Sequence, residues 1–424
     1  MIDIKLIRED PQRYVEAARV KKIAADIPAL LDADERLRDA QKRLQEARTA
    51  QNAAGKRIAK LSGDDKAGAI AEMQGLKTTV KELGNLLDAL QPRFDELMLL
   101  AAQPPADDVP VGADDTENVL IRTEGEIPTF DFEPKDHVQL GEALDIIDIP
   151  RGVKLAGSRN FILKGAGALL HQAILRLAVD QMVAKGYTLL TVPVLVNESI
   201  MYGTGYFPVG RDQAYLAERD GMSLVGTAEV SVTAYHADEI LDSAELPRKY
   251  VALSTCFRRE AGAAGKDTYG LYRVHYFDKV EQVVVCQNDE QTSLDHHQEI
   301  LANAEDVLKA LALPYRVMNV CTGDLGQGQV QKFDIETWMP SRGHYGETHS
   351  ASRFHEFQAR RLNLRYRDGD GQVRFCHTLN NTVIASPRVL IPLLELSQNA
   401  DGSVTIPEAL RPYMAGLETI EPKS

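Results

Sequence analysis

Two runs of heptad repeats, separated by a short polar break, constrain this chain more than any other feature of its sequence. In the first run one heptad position holds Leu30, Leu37, Leu44, Gln51 and Ile58, and a second holds Ala33, Ala40, Ala47, Ala54 and Leu61, so that all but Gln51 are apolar. After the break at Ser62–Asp65, the second run places apolar residues at Met73, Val80, Leu87 and Phe94, and at Leu76, Leu83, Leu90 and Leu97. A sustained seven-residue repeat is typical of coiled-coil helices. Together they predict an antiparallel helical hairpin, an arm of roughly 50 Å.

The heptad arm divides the chain into parts of different character. We expect an N-terminal domain over residues 1–102, in which the arm takes up about residues 28–100. Residues 103–118 are rich in Pro, Asp and Gly, a composition typical of a linker. The remaining residues, 119–424, are numerous enough to form a separate domain with its own core.

The segment before the arm carries two local signals. Ile2, Ile4 and Leu6 alternate with polar residues, and this period of two predicts a short strand. Asp10 followed by Pro11 predicts the cap and the first residue of a helix, because the amide that proline lacks has no helical partner at that position.

Residues 119–424 show strand-like and helix-like stretches in irregular alternation. This arrangement predicts an α+β domain with a mostly antiparallel sheet. The expected helices are Gly165–Lys185 and one after Pro387, and the expected strands are Leu189–Val196, Tyr250–Arg258, Leu271–Cys286 and Phe333–Trp338. No G-x-G-x-x-G precedes a predicted helix, which argues against a Rossmann domain.

The formal net charge of −14 argues against a general nucleic-acid binder, whose surface is normally basic. Residues 28–100 differ from the rest, because their twelve Lys and Arg balance twelve Asp and Glu. Lys56, Arg57, Lys60 and Lys66 cluster around the break between the two heptad runs. A polyanion would therefore meet the least repulsion at the arm, and these four residues are our candidates for contacting it.

Other features narrow the cellular setting and the chemistry. The four cysteines are scattered without a C-x-x-C pair, which indicates thiols in a reducing compartment: Cys256, Cys286, Cys321 and Cys376. The N-terminus lacks a secretory signal and no apolar run approaches the roughly 18 residues that span a bilayer, so we expect a cytoplasmic protein.

Two stretches that look like ligand sites do not qualify. Gly262–Lys266 has the wrong spacing for a P-loop, and His296–His297 lacks partners at zinc-ligand spacing.

Residues 253–286 contain the highest concentration of candidate functional side chains in the sequence. Two strand-like runs flank Ala261–Gly270, a glycine-rich loop with a cation at Lys266. Residues two apart on a strand share a face, so Arg258 and Glu260 point the same way. On the returning strand one face holds Arg273, His275, Phe277, Lys279 and Glu281, and the other holds Val274 and Val280. A solvated face with ion pairs would look similar, but arginine with phenylalanine suits a nucleotide's phosphate and base better.

This segment resembles a known family. The pattern F-R-x-E followed by R-x-x-x-F is similar to motif 2 of the class II aminoacyl-tRNA synthetases. The longer stretch over residues 260–281, EAGAAGKDTYGLYRVHYFDKVE, resembles the seryl-tRNA synthetases. Tyr269 and Tyr276 stand where that family usually has arginine and glutamine. Further similar segments are a motif 1-like stretch around Pro193, Gly203–Gly205 with Pro208, Gly226–Val230, Leu313–Asp324, Glu347–Ser350, Phe357–Arg361, and His377–Thr382 with Arg388 as in motif 3. The arm also precedes the catalytic domain in this family.

The resemblance implies an ATP site. Its residues would be Arg258, Arg259, Glu260, Val274, Phe277, Glu347, Thr348, His349, Ser350 and Arg388. In the family pattern Arg258 holds the α-phosphate and Arg388 the γ-phosphate. Glu260 meets the adenine amino group, the backbone near Val274 lies beside the ring, and Phe277 stacks on it.

The resemblance also implies a serine site and a metal ion. The serine-binding residues would be Thr227, Ala228, Glu229, Glu281 and Thr382. Glu281 and Thr382 would bond the hydroxyl group of serine, and Glu281 would also face its ammonium. Glu347 and Ser350 would help to place Mg²⁺, since hard oxygen ligands suit that ion.

The activity implied by the resemblance is the formation of seryl-adenylate from L-serine and ATP. Transfer of the seryl group to the 3′ end of serine tRNA follows, and to selenocysteine tRNA where it exists. Arg258, Glu281 and Arg388 would be the catalytic residues. The partners implied are a second copy in a homodimer and a tRNA, whose long variable arm meets the helical arm while its acceptor end enters the catalytic domain.

Two alternatives remain open from the sequence. A synthetase paralogue could adenylate an amino acid for a carrier protein, although such relatives often lose the arm or a motif. A non-catalytic interaction protein could use the coiled coil alone. The presence of Arg258, Glu281 and Arg388 argues against the second alternative.

Overall fold

The computed structural model describes residues 1–262 and 268–423, and the chain forms two compact units, Ile2–Pro104 and the part from Pro105 onward. The loop cation Lys266 and most of the P-loop-like stretch lie outside the described residues. The helices are α1 Ile4–Glu9, α2 Pro11–Val20, α3 Ile27–Ile58, α4 Gly63–Leu100, α5 His137–Ala143, α6 Ile149–Ala156, α7 Ala166–Ala184, α8 Glu198–Gly203, α9 Glu229–Thr233, α10 Glu290–Ala310, α11 Phe357–Leu362 and α12 Leu390–Leu396.

The strands belong to the second unit. They are β1 Val119–Glu124, β2 Ile147–Asp148, β3 Ile162–Leu163, β4 Thr188–Leu190, β5 Leu195–Asn197, β6 Leu216–Ala217, β7 Met222–Leu224, β8 Ile240–Asp242, β9 Arg248–Phe257, β10 Tyr276–Cys286, β11 Tyr315–Asn319, β12 Gln331–Met339, β13 His344–Arg353, β14 Arg365–Arg367, β15 Val373–Phe375, β16 His377–Ser386, β17 Val404–Thr405 and β18 Thr419–Ile420.

The heptad arm is the hairpin of α3 and α4, and its helices run antiparallel as predicted. Leu44 packs against Leu83 in the seam, and nearer the turn Arg57 forms an ion pair with Glu72. The first helix buries its leucines and alanines deeply, whereas most leucines of the second stay partly exposed. The helix α4 begins at Gly63, so the break is shorter than predicted. Asp64 and Asp65 lie in its first turn, where acidic side chains favour the helix dipole.

The predicted N-terminal strand is wrong, because Ile4–Glu9 is the helix α1. The side chain of Asp3 accepts a hydrogen bond from Lys5 N at 2.9 Å and so caps the first turn. Ile2 is 5% exposed whereas Leu6 is 47% exposed, so the alternating residues do not share one buried face as a strand would require. The next prediction is confirmed: Asp10 caps α2 by accepting from Arg13 N, and Pro11 is its first residue.

The second unit is built on a sheet whose described strands follow the order β1-β11-β12-β13-β16-β10-β9-β4. Neighbouring strands are antiparallel, except that β4 runs parallel to β9, so the predicted α+β class is confirmed. The helices α7 and α10 contribute to the apolar core on one side of this sheet, with Val280, Val284 and Val383 from the strands. The strands β10, β13 and β16 carry the polar side chains described below.

Two predicted strands have different bounds in the structure. Leu189–Val196 is interrupted, with β4 before Pro193 and β5 after it, because proline cannot donate to a strand ladder. Leu271–Cys286 becomes a strand only from Tyr276, which pairs with Phe257 of β9. The remaining predicted strands and helices lie within or close to observed elements. Among the described residues no helix is both long enough and apolar enough to cross a membrane.

Candidate active site

A polar cleft of about 970 Å³, counting its open mouth, lies over the middle of the large sheet. The residues that line it come from β10, β13 and β16, from the segments that follow β9 and precede β10, from the turn before α12, and from the stretches around Tyr206, Thr227 and Gln329. Almost every site residue predicted from the sequence lines this cleft. The exceptions are Ala228, which is buried in a small apolar cluster, and Arg259, which is exposed and donates to Asp212 O.

One end of the cleft combines cations with an aromatic ring. The guanidinium carbon of Arg258 lies 5.2 Å from the centre of the Phe277 ring, and its Nε donates to Gly226 O at 3.3 Å. Arg273 donates from a guanidinium nitrogen to Glu260 Oε2 at 3.1 Å. A flat cation and a ring at this separation can hold a phosphate beside a stacked base.

Glu260 is held in an unusual backbone conformation. Its φ is +50°, in the left-handed region that non-glycine residues seldom adopt. The Arg159 guanidinium donates to Glu260 O at 2.9 Å and supports this conformation. Strain of this kind costs about 1–3 kcal/mol and is found mainly where function requires a particular side-chain direction. Here it directs the Glu260 carboxylate towards Arg273 at the edge of the cleft.

Arg388 stands opposite, directly before α12. Its Nε donates to Tyr272 O at 3.1 Å, its terminal nitrogen donates to Glu347 O at 2.9 Å, and its guanidinium lies 4.5 Å above the Tyr272 ring. The carboxylate of Glu347 is 3.9 Å from Arg388 and half exposed. Burial in the cleft would raise the pKa of Glu347, but Arg388, Lys332 and Arg258 outweigh it and lower that pKa.

A second carboxylate lies below Glu347. Asp334 faces Ser350 across the pairing of β12 and β13 and is almost fully buried. Burial, only partly offset by Lys332 at 3.3 Å, raises the pKa of Asp334 to about 7. Neither Asp334 nor Lys332 was a predicted site residue. Their spacing of two on β12 offered a signal, but only the strand register places them beside Ser350.

The other end of the cleft is acidic. Glu281 is 1% exposed, and its Oε2 lies 3.4 Å from Thr227 Oγ1 and 3.5 Å from Thr382 Oγ1. The register of β10 with β16 places Glu281 opposite Thr382. Lys279, which was not a predicted ligand, is buried and forms an ion pair with Glu281. The two long hydroxyl contacts leave lone pairs of this carboxylate for a ligand.

Glu229 completes the acidic end. Gln358, from α11, donates to Glu229 Oε1 at 2.7 Å, and the Glu229 amide donates to Thr227 Oγ1 at 3.2 Å. Removal from water, together with the nearby charge of Glu281, raises the pKa of Glu229 to about 7. Two carboxylates facing one cavity form a site for a cation such as an ammonium group. Gln358 lies in Phe357–Arg361, a segment that resembles the family, but nothing in the sequence indicated its contact with Glu229.

Two further predicted residues line the cleft with side chains that already have partners. Thr348 is buried, and its Oγ1 lies 2.6 Å from Thr337 Oγ1. His349 Nδ1 lies 2.8 Å from Thr348 Oγ1, and burial lowers the pKa of His349 to about 4. Both residues therefore support the cleft as neutral groups. Among the described residues no group of three or more His, Cys, Asp or Glu side chains is arranged to hold a metal ion.

The predicted arm cations lie around the turn of the hairpin. Lys56, Arg57, Lys60 and Lys66 are all exposed. Arg57 is engaged by Glu72, so the lysines contribute most of the uncompensated positive charge there.

Two family models match this chain. The seryl-tRNA synthetase N-terminal domain matches residues 1–100, and the class II core domain of tRNA synthetases for G, H, P, S and T matches residues 215–397.

Individual proteins match over the whole length. A serine–tRNA ligase of Deinococcus radiodurans is 44% identical, covering 99% of each chain. One from Cutibacterium acnes is 44% identical and covers 100% of each. The crystal structure of a seryl-tRNA synthetase from Pyrococcus horikoshii complexed with ATP superposes with a TM-score of 0.93 at 36% identity, covering 100% of both chains.

Proposed function

The chain belongs to the seryl-tRNA synthetase family of class II enzymes, and we propose that it activates L-serine with ATP and transfers the seryl group to a serine tRNA. The observation that carries this function is the polarity of the cleft. Arginines and a stacking ring occupy one end, and two carboxylates with two hydroxyls occupy the other. A nucleotide triphosphate fits the first end and an amino acid with a hydroxyl fits the second.

ATP binds at the cationic end in this proposal. Phe277 stacks on the adenine, and Glu260 accepts from its amino group. Arg258 contacts the α-phosphate, and Arg388 contacts the γ-phosphate of a bent triphosphate. The Arg258 guanidinium carbon lies 5.2 Å from the centre of the Phe277 ring, and this supports the assignment, because one ligand that stacks on the ring can also present a phosphate to the cation.

Mg²⁺ fits the donors of this end. Glu347 offers a half-exposed carboxylate whose pKa is lowered, so that it is ionised at neutral pH, and Ser350 adds a hydroxyl nearby on β13. These are hard oxygen donors of the kind Mg²⁺ prefers, and the ion takes its other ligands from phosphates and water. Bound there, Mg²⁺ would neutralise phosphate charge.

Serine binds at the acidic end. Glu281 and Glu229 face its ammonium group, and Thr382 with Glu281 takes its hydroxyl. The carboxylate of serine then points towards Arg258, in line with the α-phosphorus. It attacks that atom, forming the seryl-adenylate as the bond to pyrophosphate breaks. Because the attacking carboxylate is already ionised, no general base is needed, and catalysis rests on positioning and charge neutralisation.

The second step delivers the seryl group to tRNA. The oxygen of the terminal 3′-hydroxyl attacks the carbonyl carbon of the adenylate and forms an ester. The bond from that carbon to the phosphate oxygen breaks, AMP leaves, and its phosphate takes up the proton that the hydroxyl loses. The arm cations Lys56, Lys60 and Lys66, exposed around the hairpin turn, support contact with the variable arm of the tRNA. Selenocysteine tRNA is a further substrate where the host contains it.

The protein acts as a cytoplasmic homodimer in this proposal. Support for the dimer comes from the motif 1-like stretch around Pro193, which resembles the segment through which class II synthetases pair. Two-fold dimers are also the commonest oligomers. The four buried cysteines are free thiols, as a reducing compartment requires.

Pyrophosphate exchange against each of the twenty amino acids tests the proposal. Exchange should depend on serine and exceed that with alanine by about 10⁴-fold, because a site built around a hydroxyl leaves its own polar groups unpaired without one. Charging of purified serine tRNA should follow in the same preparation. Serine-dependent exchange with transfer to a carrier protein instead of tRNA would support the paralogue alternative.

A further inference from the structure

A buried side-chain relay lies behind the cationic end of the cleft. Glu395, on α12, is fully buried, and His137, at the start of α5, is 3% exposed. Glu395 Oε1 accepts from His137 N at 3.0 Å and lies 2.8 Å from its Nδ1, while Oε2 accepts from Ser341 N at 2.9 Å. Three segments distant in sequence therefore meet at one carboxylate.

The far side of the His137 ring contacts the loop that returns from motif 2. The Leu271 amide donates to His137 Nε2 at 3.2 Å, and Leu271 is fully buried. A backbone amide can only donate, so Nε2 is the unprotonated ring nitrogen and Nδ1 carries the hydrogen that points to Glu395. Gly270 makes room for this contact. A Cβ at that position would lie 2.0 Å from Nε2, and its φ is +62°.

The anchored loop leads directly into the nucleotide site. Tyr272 follows Leu271, and its ring lies between two guanidinium groups, with Arg342 at 4.0 Å and Arg388 at 4.5 Å. Arg342 follows Ser341, which Glu395 holds. The carbonyl of Tyr272 accepts from Arg388 Nε. The relay therefore holds the residue before Tyr272 and the residue before Arg342, which is one of the two cations on the Tyr272 ring.

We infer that His137 is a positioning residue for the nucleotide reaction: it holds Leu271, and through it Tyr272, in register with Arg388. The inference rests on the proposed function, because Arg388 is the residue assigned to the γ-phosphate. It applies to the ATP end alone. Glu281 and Thr382 lie on β10 and β16, and neither contacts the relay.

Two substitutions separate the two contacts of the ring. His137→Asn keeps a donor at the position of Nδ1 for Glu395 and leaves the buried Leu271 amide without an acceptor. His137→Gln is long enough to place its side-chain oxygen where Nε2 lies, so that the Leu271 amide keeps an acceptor. In serine-dependent pyrophosphate exchange, His137→Asn should raise the KM for ATP about tenfold, the cost expected for a buried unpaired donor. Its KM for serine should stay within about twofold, and His137→Gln should restore most of the ATP affinity.

Three further measurements complete the test on the full-length protein. Hydrogen exchange of the peptide that includes Leu271 should accelerate in His137→Asn and recover in His137→Gln. Gly270→Ala, which intrudes on Nε2 while His137 stays in place, should reproduce the ATP-selective loss even if a His137 variant fails to fold. Gln139→Ala removes the capping box of the same helix without touching the relay, and should leave the KM for ATP unchanged.

Equal losses in the Asn and Gln variants, or a parallel rise in both KM values, would overturn the inference in favour of a general folding role. An unchanged exchange rate at Leu271 in His137→Asn would overturn it as well. Absence of serine-dependent exchange in the wild-type protein would count against the proposed function instead, and the hydrogen-exchange comparison would still decide whether the relay exists.

Discussion

The arm and the catalytic cleft of this protein are organised in opposite ways. In the arm, buried residues of α3 recur every seven positions, as Leu30, Leu37 and Leu44 do, and they form an apolar seam between α3 and α4. In the cleft no contact repeats. Glu281 meets Thr382 across 101 positions, and Glu229 meets Gln358 across 129. A repeated apolar seam tolerates change at any one point, whereas a polar network depends on each member. The two regions should therefore respond very differently to mutation.

Removing the arm gives the largest expected separation between the two half-reactions. A variant in which residues 30–97 are replaced by a short bridge should lose tRNA charging by about a thousandfold, since the phosphate contacts that we propose for the arm would be lost. Serine-dependent pyrophosphate exchange should remain within about threefold of wild type, because the cleft residues all lie beyond Pro105. Charging and exchange would be measured on the same preparation. An equal loss of both would show that the second unit needs the arm to fold.

A single change in the serine end of the cleft should lower adenylate formation and, because transfer to tRNA needs the adenylate, tRNA charging as well. Glu281→Gln removes the charge that we propose faces the ammonium of serine, and it leaves the buried Lys279 without its ion-pair partner. We expect kcat/KM for serine in pyrophosphate exchange to fall about a hundredfold. Thr382→Val is the matched control: it removes one long hydroxyl contact and should cost about tenfold, with a smaller preference for serine over alanine. A serine-to-alanine ratio unchanged in Thr382→Val would contradict the hydroxyl assignment.

The two regions should also differ in their response to pH. The pKa of Glu229 is raised to about 7, so its carboxyl group is protonated below that pH and ionised above it. Only the ionised form attracts the ammonium of serine, so the KM for serine should rise about tenfold from pH 8 to pH 6. Glu229→Gln should flatten this dependence. The arm, residues 28–100, contains no histidine, so binding of tRNA to it should stay constant over this range, as filter binding at fixed salt would show.

The contrast also explains what could be predicted from the sequence. The arm could be predicted in detail because its signal is periodic and local. The exception within the same unit is α1, where three alternating apolar residues indicated a strand although the Asp3 cap and the buried Ile7 favour a helix. A period of two over so few residues cannot outweigh a capping hydrogen bond.

The cleft could be predicted only as far as its motifs extend. Arg258, Phe277 and Glu281 were assigned from strand alternation and family resemblance, and they line one cavity. Asp334 and Gln358 were missed because their roles arise from strand register and from helix placement. His137 was missed for the same reason, since its partners Leu271 and Glu395 lie 134 and 258 positions away. No local pattern contains such information.

The smallest expected effect concerns glycines, which the two regions use for different reasons. Gly68 and Gly75 lie within α4, and an added Cβ at either would meet no atom within 4 Å. Alanine there should stabilise the helix by about 0.5–1 kcal/mol at each site, because glycine has more backbone freedom to lose. Amide exchange along α3 and α4 should slow about fivefold or more in the double variant, with pyrophosphate exchange unchanged.

Gly226 is the matched site in the cleft, where a Cβ would lie 2.3 Å from the Tyr206 hydroxyl. Gly226→Ala should therefore lower pyrophosphate exchange and leave the arm amides unaffected. If the arm alanines altered serine activation, the independence of the two regions would be refuted, because a change confined to α4 would then have affected the cleft.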